Sequence, residues 1–147
     1  MSKAVLALFT GMLAIFIADF FFFLGMKTNY FDALGIEIYY NTLFADNQNA
    51  LLYFGLSIVV GFVIIFIANK KLTVIVLFLL SIFSISALIP NIGYTYAQMM
   101  FKKVEITYHD ARHTFSGDVY YEGRKTIHFF DNDLQRIIIL QKKDLIR

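Results

Sequence analysis

Few side chains in this sequence have chemical capacity, and they are scattered. Asp19 precedes four phenylalanines in the stretch "ADFFFF", inside an otherwise uncharged apolar run. A carboxylate in such a run can clasp neighbouring helices by hydrogen bonds, sit at the level of lipid headgroups, or carry a proton or ion. Pathways ordinarily need several intramembrane ionisable groups, and Asp19 is the only one in its run, so the clasp is the favoured reading. His109, His113 and His128 are the only histidines. With Asp110, the run "HDARH" could offer imidazoles and a carboxylate of the kind zinc takes, but the spacing matches no diagnostic ligand pattern. There is no cysteine, which removes thiolate chemistry. There is also no glycine-rich phosphate loop, no Gly-x-Ser-x-Gly and no His-Glu-x-x-His. Asp131 and Asp133 in "DND" read as turn residues. The sequence therefore predicts no catalytic residues, no metal and no cofactor: a protein that is not an enzyme.

The elements that must position Asp19 are hydrophobic. The chain is 59% hydrophobic and 18% aromatic, against about 45–50% apolar for an ordinary soluble domain. Apart from Asp19, residues 4–26, 51–68 and 72–95 carry no charge, and every arginine lies after residue 111. Each run is long enough to cross a bilayer as a helix, which takes roughly 20 residues within a range of about 17–25. The first is too long for a secretory h-region and lacks a cleavage site, so it reads as a retained anchor. "NKK" (69–71) is so short a link that the second and third helices are expected to form an antiparallel hairpin and touch.

Lys3, Lys70 and Lys71 favour the cytoplasmic side. The 27–50 link sets Lys27 against Asp32, Glu37 and Asp46, as an outside loop does. Lys102 and Lys103 pull the other way, but the hairpin tip and first helix decide for N-inside, C-outside. The expectation is a multi-pass protein of a bacterial cytoplasmic (inner) membrane, the source inferred from richness in Phe, Ile, Tyr, Asn and Lys. The formal charge of +2 is too small to argue for nucleic acid, and none is expected as a partner. "YFDALGIEIYYNTLF" within the link predicts a short interfacial helix or re-entrant turn, its tyrosines suited to the headgroup layer.

Small residues in the first run fall at Ala4, Ala7, Gly11, Ala14 and Ala18, in steps of 3 and 4, and so share one helical face. In lipid, helices associate by close backbone approach, which such faces permit. Ser57 and Gly61 in the second run, and Ser81, Ser84 and Asn91 in the third, offer matching stripes. A three-helix bundle closed on these stripes is the simplest arrangement. Asp19 borders the seam, where a mid-membrane aspartate costs roughly 2.5–3.5 kcal/mol on insertion scales. By depth its expected hydrogen-bond partners are Tyr53, Ser57, Ser84, Ser86 and Asn91. Pro90 predicts a kink or loosened turn near the end of the third helix.

From Val104 the period changes to two. "VEITYH", "TFSGDVYY", "KTIHFFD" and "QRIIILQ" read as strands separated by "DAR", "EGR" and "DND". Residues 1–101 thus form a transmembrane domain and 102–147 a small antiparallel β domain. The run from Val104 to the end, with Gly117 in a bent strand and a closing "hydrophobic run, turn, short strand", resembles an SH3-like or Sm-like barrel. That resemblance implies a small barrel or curled sheet and, lacking the Sm RNA signature, no RNA binding. The layout of membrane span plus β module also resembles short NfeD-like proteins. Lys102 and Lys103 are the best-placed lipid-headgroup contacts. The function expected is an accessory or scaffold protein that packs with partner or self helices in the lipid and presents the β module for protein interaction. The alternative is a small transporter or channel subunit using Asp19.

Overall fold

The computed structural model describes residues 2–110 and 113–146. The chain divides into two compact units, residues 1–94 and 95–147.

In the first unit, α1 (Lys3–Met26) starts where Ser2 Oγ accepts the Val5 N–H at 3.3 Å. It runs on without a break as a π-turn, Lys27–Asp32. A short helix, α2 (Tyr40–Asn47), precedes α3 (Ala50–Phe66), and α4 (Lys70–Ser86) precedes α5 (Pro90–Phe101). Asparagine caps start both middle helices. Asn49 Oδ1 accepts from Leu52 N, and Asn69 Oδ1 accepts from Lys71 N and Leu72 N. These side chains satisfy N–H groups that a helix start leaves without a partner.

One helix, Lys3–Asp32, is long and apolar enough to cross a membrane. Two more spans arise only if each bent pair counts as one, α2 with α3 at 83° and α4 with α5 at 87°. The third apolar run, expected as one helix over 72–95, is therefore two. α4 stops at Ser86, and the chain turns through Ala87–Ile89 on tight bonds, Leu88 N to Ile85 O at 2.9 Å and Ile89 N to Ser86 O at 3.0 Å. Pro90 explains the break, since it has no N–H to continue the ladder and its ring crowds the preceding turn. It then occupies the first position of α5, where that defect is harmless.

α1 is the central rod of this unit. α3 lies antiparallel along it, Gly61 against Ala7 and Gly11 against Ser57. α4 follows the direction of α1, with Phe22 stacked on Phe83 at 5.3 Å and Gly25 against Ala87. α3 and α4 touch far less than either touches α1; one link between them is Thr73 Oγ1 donating to Val63 O at 3.4 Å. The hairpin exists, but α1, not the partner helix, takes the close-packing faces of both arms. Near the end of α1, Asn29 Nδ2 donates to Ala87 O at 2.9 Å, tying the π-turn to the α4–α5 break.

The second unit holds the last residues of α5 and an antiparallel sheet: β1 (Lys103–Asp110), β2 (Thr114–Glu122), β3 (Thr126–Asp131), β4 (Arg136–Gln141) and the two-residue β5 (Leu145–Ile146). The strand order is β4-β3-β2-β1-β5. The four main strands lie within about a residue of the period-two segments. A closed barrel is not formed. β4 and β5 stand at opposite ends of the order, and β5 is long enough for only two rungs, against His109 and Asp110.

Val119, Ile127, Phe129 and Leu140 make the core, packed by Ile106, Tyr108, Phe115, Ile138 and Leu145. Gly117 is required there, since a Cβ would strike the Phe130 carbonyl of the paired strand. The β3–β4 turn is held by Asp131, whose Oδ1 accepts from Asp133 N at 2.8 Å and Leu134 N at 3.0 Å.

Charge pairs brace β1 and the 3-10 turn (Lys142–Asp144) on β2. Lys102 meets Asp118 at 2.9 Å, and Glu122 bridges Lys103 and Lys142, each at 2.7 Å. The hydrogen bond from Lys103, then that from Lys142, draws the Glu122 carboxyl down to about 2. Burial on β3 holds the His128 imidazole below its ordinary range. Both groups take up protons more readily in the unfolded chain, so both withdraw stability as pH falls. His128 acts first, from the ordinary imidazole range downward; Glu122 acts between the ordinary glutamate range and about 2. The strand signal of the full-length protein should thus lose thermal stability in two acid steps. His128→Gln should remove the upper and Glu122→Gln the lower. Added salt should weaken only the lower step, because exposed ion pairs are screened and burial is not.

Candidate functional site

Asp19 lies two turns before the end of α1, and the elbow between α2 and α3 reaches it. Gln48, the residue that ends α2, donates from Nε2 to Asp19 Oδ2 at 2.9 Å. On either side, Tyr40 Oη donates to Phe20 O and Tyr53 Oη to Met12 O, both at 3.1 Å. Three side chains, from α2, α3 and the elbow between them, thus fasten onto α1 between Met12 and Phe20. Asp46, on the same elbow, has both carboxylate oxygens shielded from solvent.

The phenylalanine run completes the fastening. Phe16, Phe20 and Phe23 recur at steps of 4 and 3, one helical face. Phe16 and Phe23 pack edge-on against Phe44 of α2, at 5.8 and 5.5 Å between ring centroids, and Phe20 against Tyr40 at 5.3 Å. Off that face, Phe22 serves α4. The four aromatics thus divide between two helices, while Asp19 takes the hydrogen bond.

The hydroxyls expected to serve Asp19 are committed elsewhere. Ser57 Oγ donates to Tyr53 O at 2.6 Å, Ser84 Oγ to Leu80 O at 2.9 Å and Ser86 Oγ to Phe83 O at 2.7 Å, each back into its own helix. Tyr53 reaches the backbone of α1 instead of its carboxylate. Asn91 is exposed as the second residue of α5. The reason is register. α3 begins only at Ala50, so the level of Asp19 meets the elbow and not the middle of a helix. Gln48 went unforeseen; the "QN" before an apolar run, with Asn49 as an N-cap, was the signal that could have found it.

Of the small residues, Ala7, Gly11 and Ala18 are buried and Ala4 is exposed. Ala14 and Ala18 line a cavity of about 290 Å³ between α1 and α4, with Leu77, Ser81 and Ser84 across it. Lys102 and Lys103 are engaged by Asp118 and Glu122. The histidines do not converge. His109 Nδ1 lies 3.0 Å from Thr114 Oγ1, His113 is exposed beside Phe115, and His128 is buried on β3. Among the described residues no group of three or more His, Asp or Glu is placed to hold a metal ion. The sheet unit has a further cavity of about 750 Å³, rimmed by His109, Glu122 and Lys142 over Tyr108, Ile127 and Leu145.

Comparison with known proteins adds nothing to this. No family model matches the chain, and no curated protein or solved structure matches it either.

Proposed function

We propose that this protein is a small multi-pass membrane scaffold, anchored by three spans and presenting its sheet to a protein partner. The observation that carries the reading is how α1 is used. Ala7 and Gly11 are spent on α3, Gly25 on α4, and Asp19 on an elbow, all within one chain. A carboxylate that takes its hydrogen bond from the elbow of a neighbouring helix pair does the work of an anchor. In this reading each bent pair supplies one span and one shorter helix at the headgroup layer. Lys3, Lys70 and Lys71 mark the cytoplasmic side, and residues 102–147 lie on the opposite side. The sheet supports the docking role, because β4 has a neighbour on one side only and carries Ile139 at 60% exposure. Such an edge offers backbone groups to an extended partner strand. Its strand order, with a 3-10 turn before β5, also suits an SH3-like course without closure.

The second reading, a transporter or channel subunit, draws on the polar cluster of Asp19, Gln48, Tyr40 and Tyr53. Reconstituted full-length protein separates the two. The scaffold should show no proton or cation flux above empty vesicles, and Asp19→Asn should leave that unchanged while weakening the helical unit. Photo-crosslinkers at Ile139 should capture one discrete partner in native membranes, and Ile139→Lys should release it. Flux abolished by Asp19→Asn would replace the scaffold with the transporter.

A further inference from the structure

We propose that the loop after α1 holds the headgroup of a zwitterionic, ammonium-bearing phospholipid. The cavity is about 370 Å³ and is lined by Lys27, Asp32, Glu37, Ile38, Tyr39 and Tyr40. That volume is at the small end for ligand sites, suited to a headgroup whose acyl chains stay in the bilayer. Its place fits the same occupant. The helix Lys3–Asp32 has 30 residues, roughly 45 Å at 1.5 Å per residue, against about 30 Å of hydrocarbon. The end bearing Lys27 therefore emerges among headgroups once α1 crosses the membrane.

The lining has the matching charges. Lys27 Nζ contacts both carboxylate oxygens of Asp32, at 2.7 and 2.9 Å. With Lys27 and Asp32 balanced, the charge of Glu37 is left over, so the cavity as a whole favours a cation. Tyr39 is 82% exposed and offers its ring to an ammonium group, which aromatic faces attract. Lys27 retains a donor for the phosphate. A purely anionic headgroup would meet Glu37 unfavourably, whereas a zwitterion answers both signs.

The inference rests on the membrane reading above. Full-length protein in mild detergent, offered equal phosphatidylethanolamine, phosphatidylcholine and phosphatidylglycerol, should retain the two zwitterionic lipids over the glycerol lipid by about fivefold in native mass spectrometry. Glu37→Gln and, separately, Tyr39→Ala should bring that ratio to about one; both side chains are exposed, so helicity should not change. Equal retention, a preference for phosphatidylglycerol, or a preference that survives both substitutions would overturn the site. Extraction of the protein from membranes by alkaline carbonate would instead overturn the membrane reading itself.

Discussion

Gly11→Leu should separate α1 from α3. A Cβ at Gly11 falls far inside contact distance of the Ser57 carbonyl oxygen and close to the Gly61 N–H, and both obstacles are backbone. No rotamer relieves the clash, so the helices must part along the seam. Reciprocally, a Cβ on Gly61 meets the Ala7 carbonyl. Inserting extra methylenes into a packed core costs typically 1–3 kcal/mol, and a clash with backbone belongs at or above the upper end. Parting the helices also weakens the bonds from Tyr53 and Gln48 to α1, so the loss should exceed the local overlap. Gly55→Leu, on the same helix as Gly61, is the control, since a Cβ there meets no neighbouring element within 4 Å. Unfolding by sodium dodecyl sulfate, followed by helical circular dichroism, should shift to clearly lower detergent for Gly11→Leu and Gly61→Leu and stay in place for Gly55→Leu. Equal behaviour of the three would mean that α1 and α3 do not rely on backbone approach.

How far this arrangement can be read from the sequence depends on the range of each interaction. The steps of Ala4, Ala7, Gly11, Ala14 and Ala18 are local, and α1 is legible from them because helical period alone sets which residues share a face. The strands are legible for the same reason, as polar and apolar residues alternate through Val119, Ile127 and Phe129. The elbow is not legible in that way. The 83° bend between α2 and α3 occurs at "NQN", with neither proline nor glycine. There Gln48 reaches Asp19, a contact 29 residues distant in the chain. Without the elbow, depth counting along an assumed straight span placed Asp19 beside Ser57. The unclosed sheet has a similar origin. A terminal apolar turn-and-strand pattern says that β5 exists, but not that it pairs with β1 without meeting β4. The sharing of lysines is also hidden. Lys102 and Lys103 look like free headgroup contacts until the pairing of β1 with β2 places Asp118 and Glu122 against them.

The sheet should fail as a unit when Phe129 is truncated. Phe129 is fully buried on β3, between Val119 on β2 and Ile138 on β4, with Tyr108 edge-on at 5.7 Å. Removing a buried phenyl ring typically costs 3–5 kcal/mol through lost transfer energy and the cavity left behind. A core this small rarely supplies more than about 3–5 kcal/mol in total, so Phe129→Ala takes most of what holds the strands together. The helical unit has its own packing, on the faces of α1, and should survive. Circular dichroism of the full-length variant should therefore lose strand signal and keep helix, and brief proteolysis should cut after about residue 101 while sparing 1–94. Ile139→Ala, at a side chain 60% exposed, should stay within about 0.5 kcal/mol of the parent. Loss of helix and strand together in Phe129→Ala would show that the two units stand or fall as one. Persistence of the sheet would show that Phe129 is not the centre of its core, and that the strands draw their stability from outside residues 95–147.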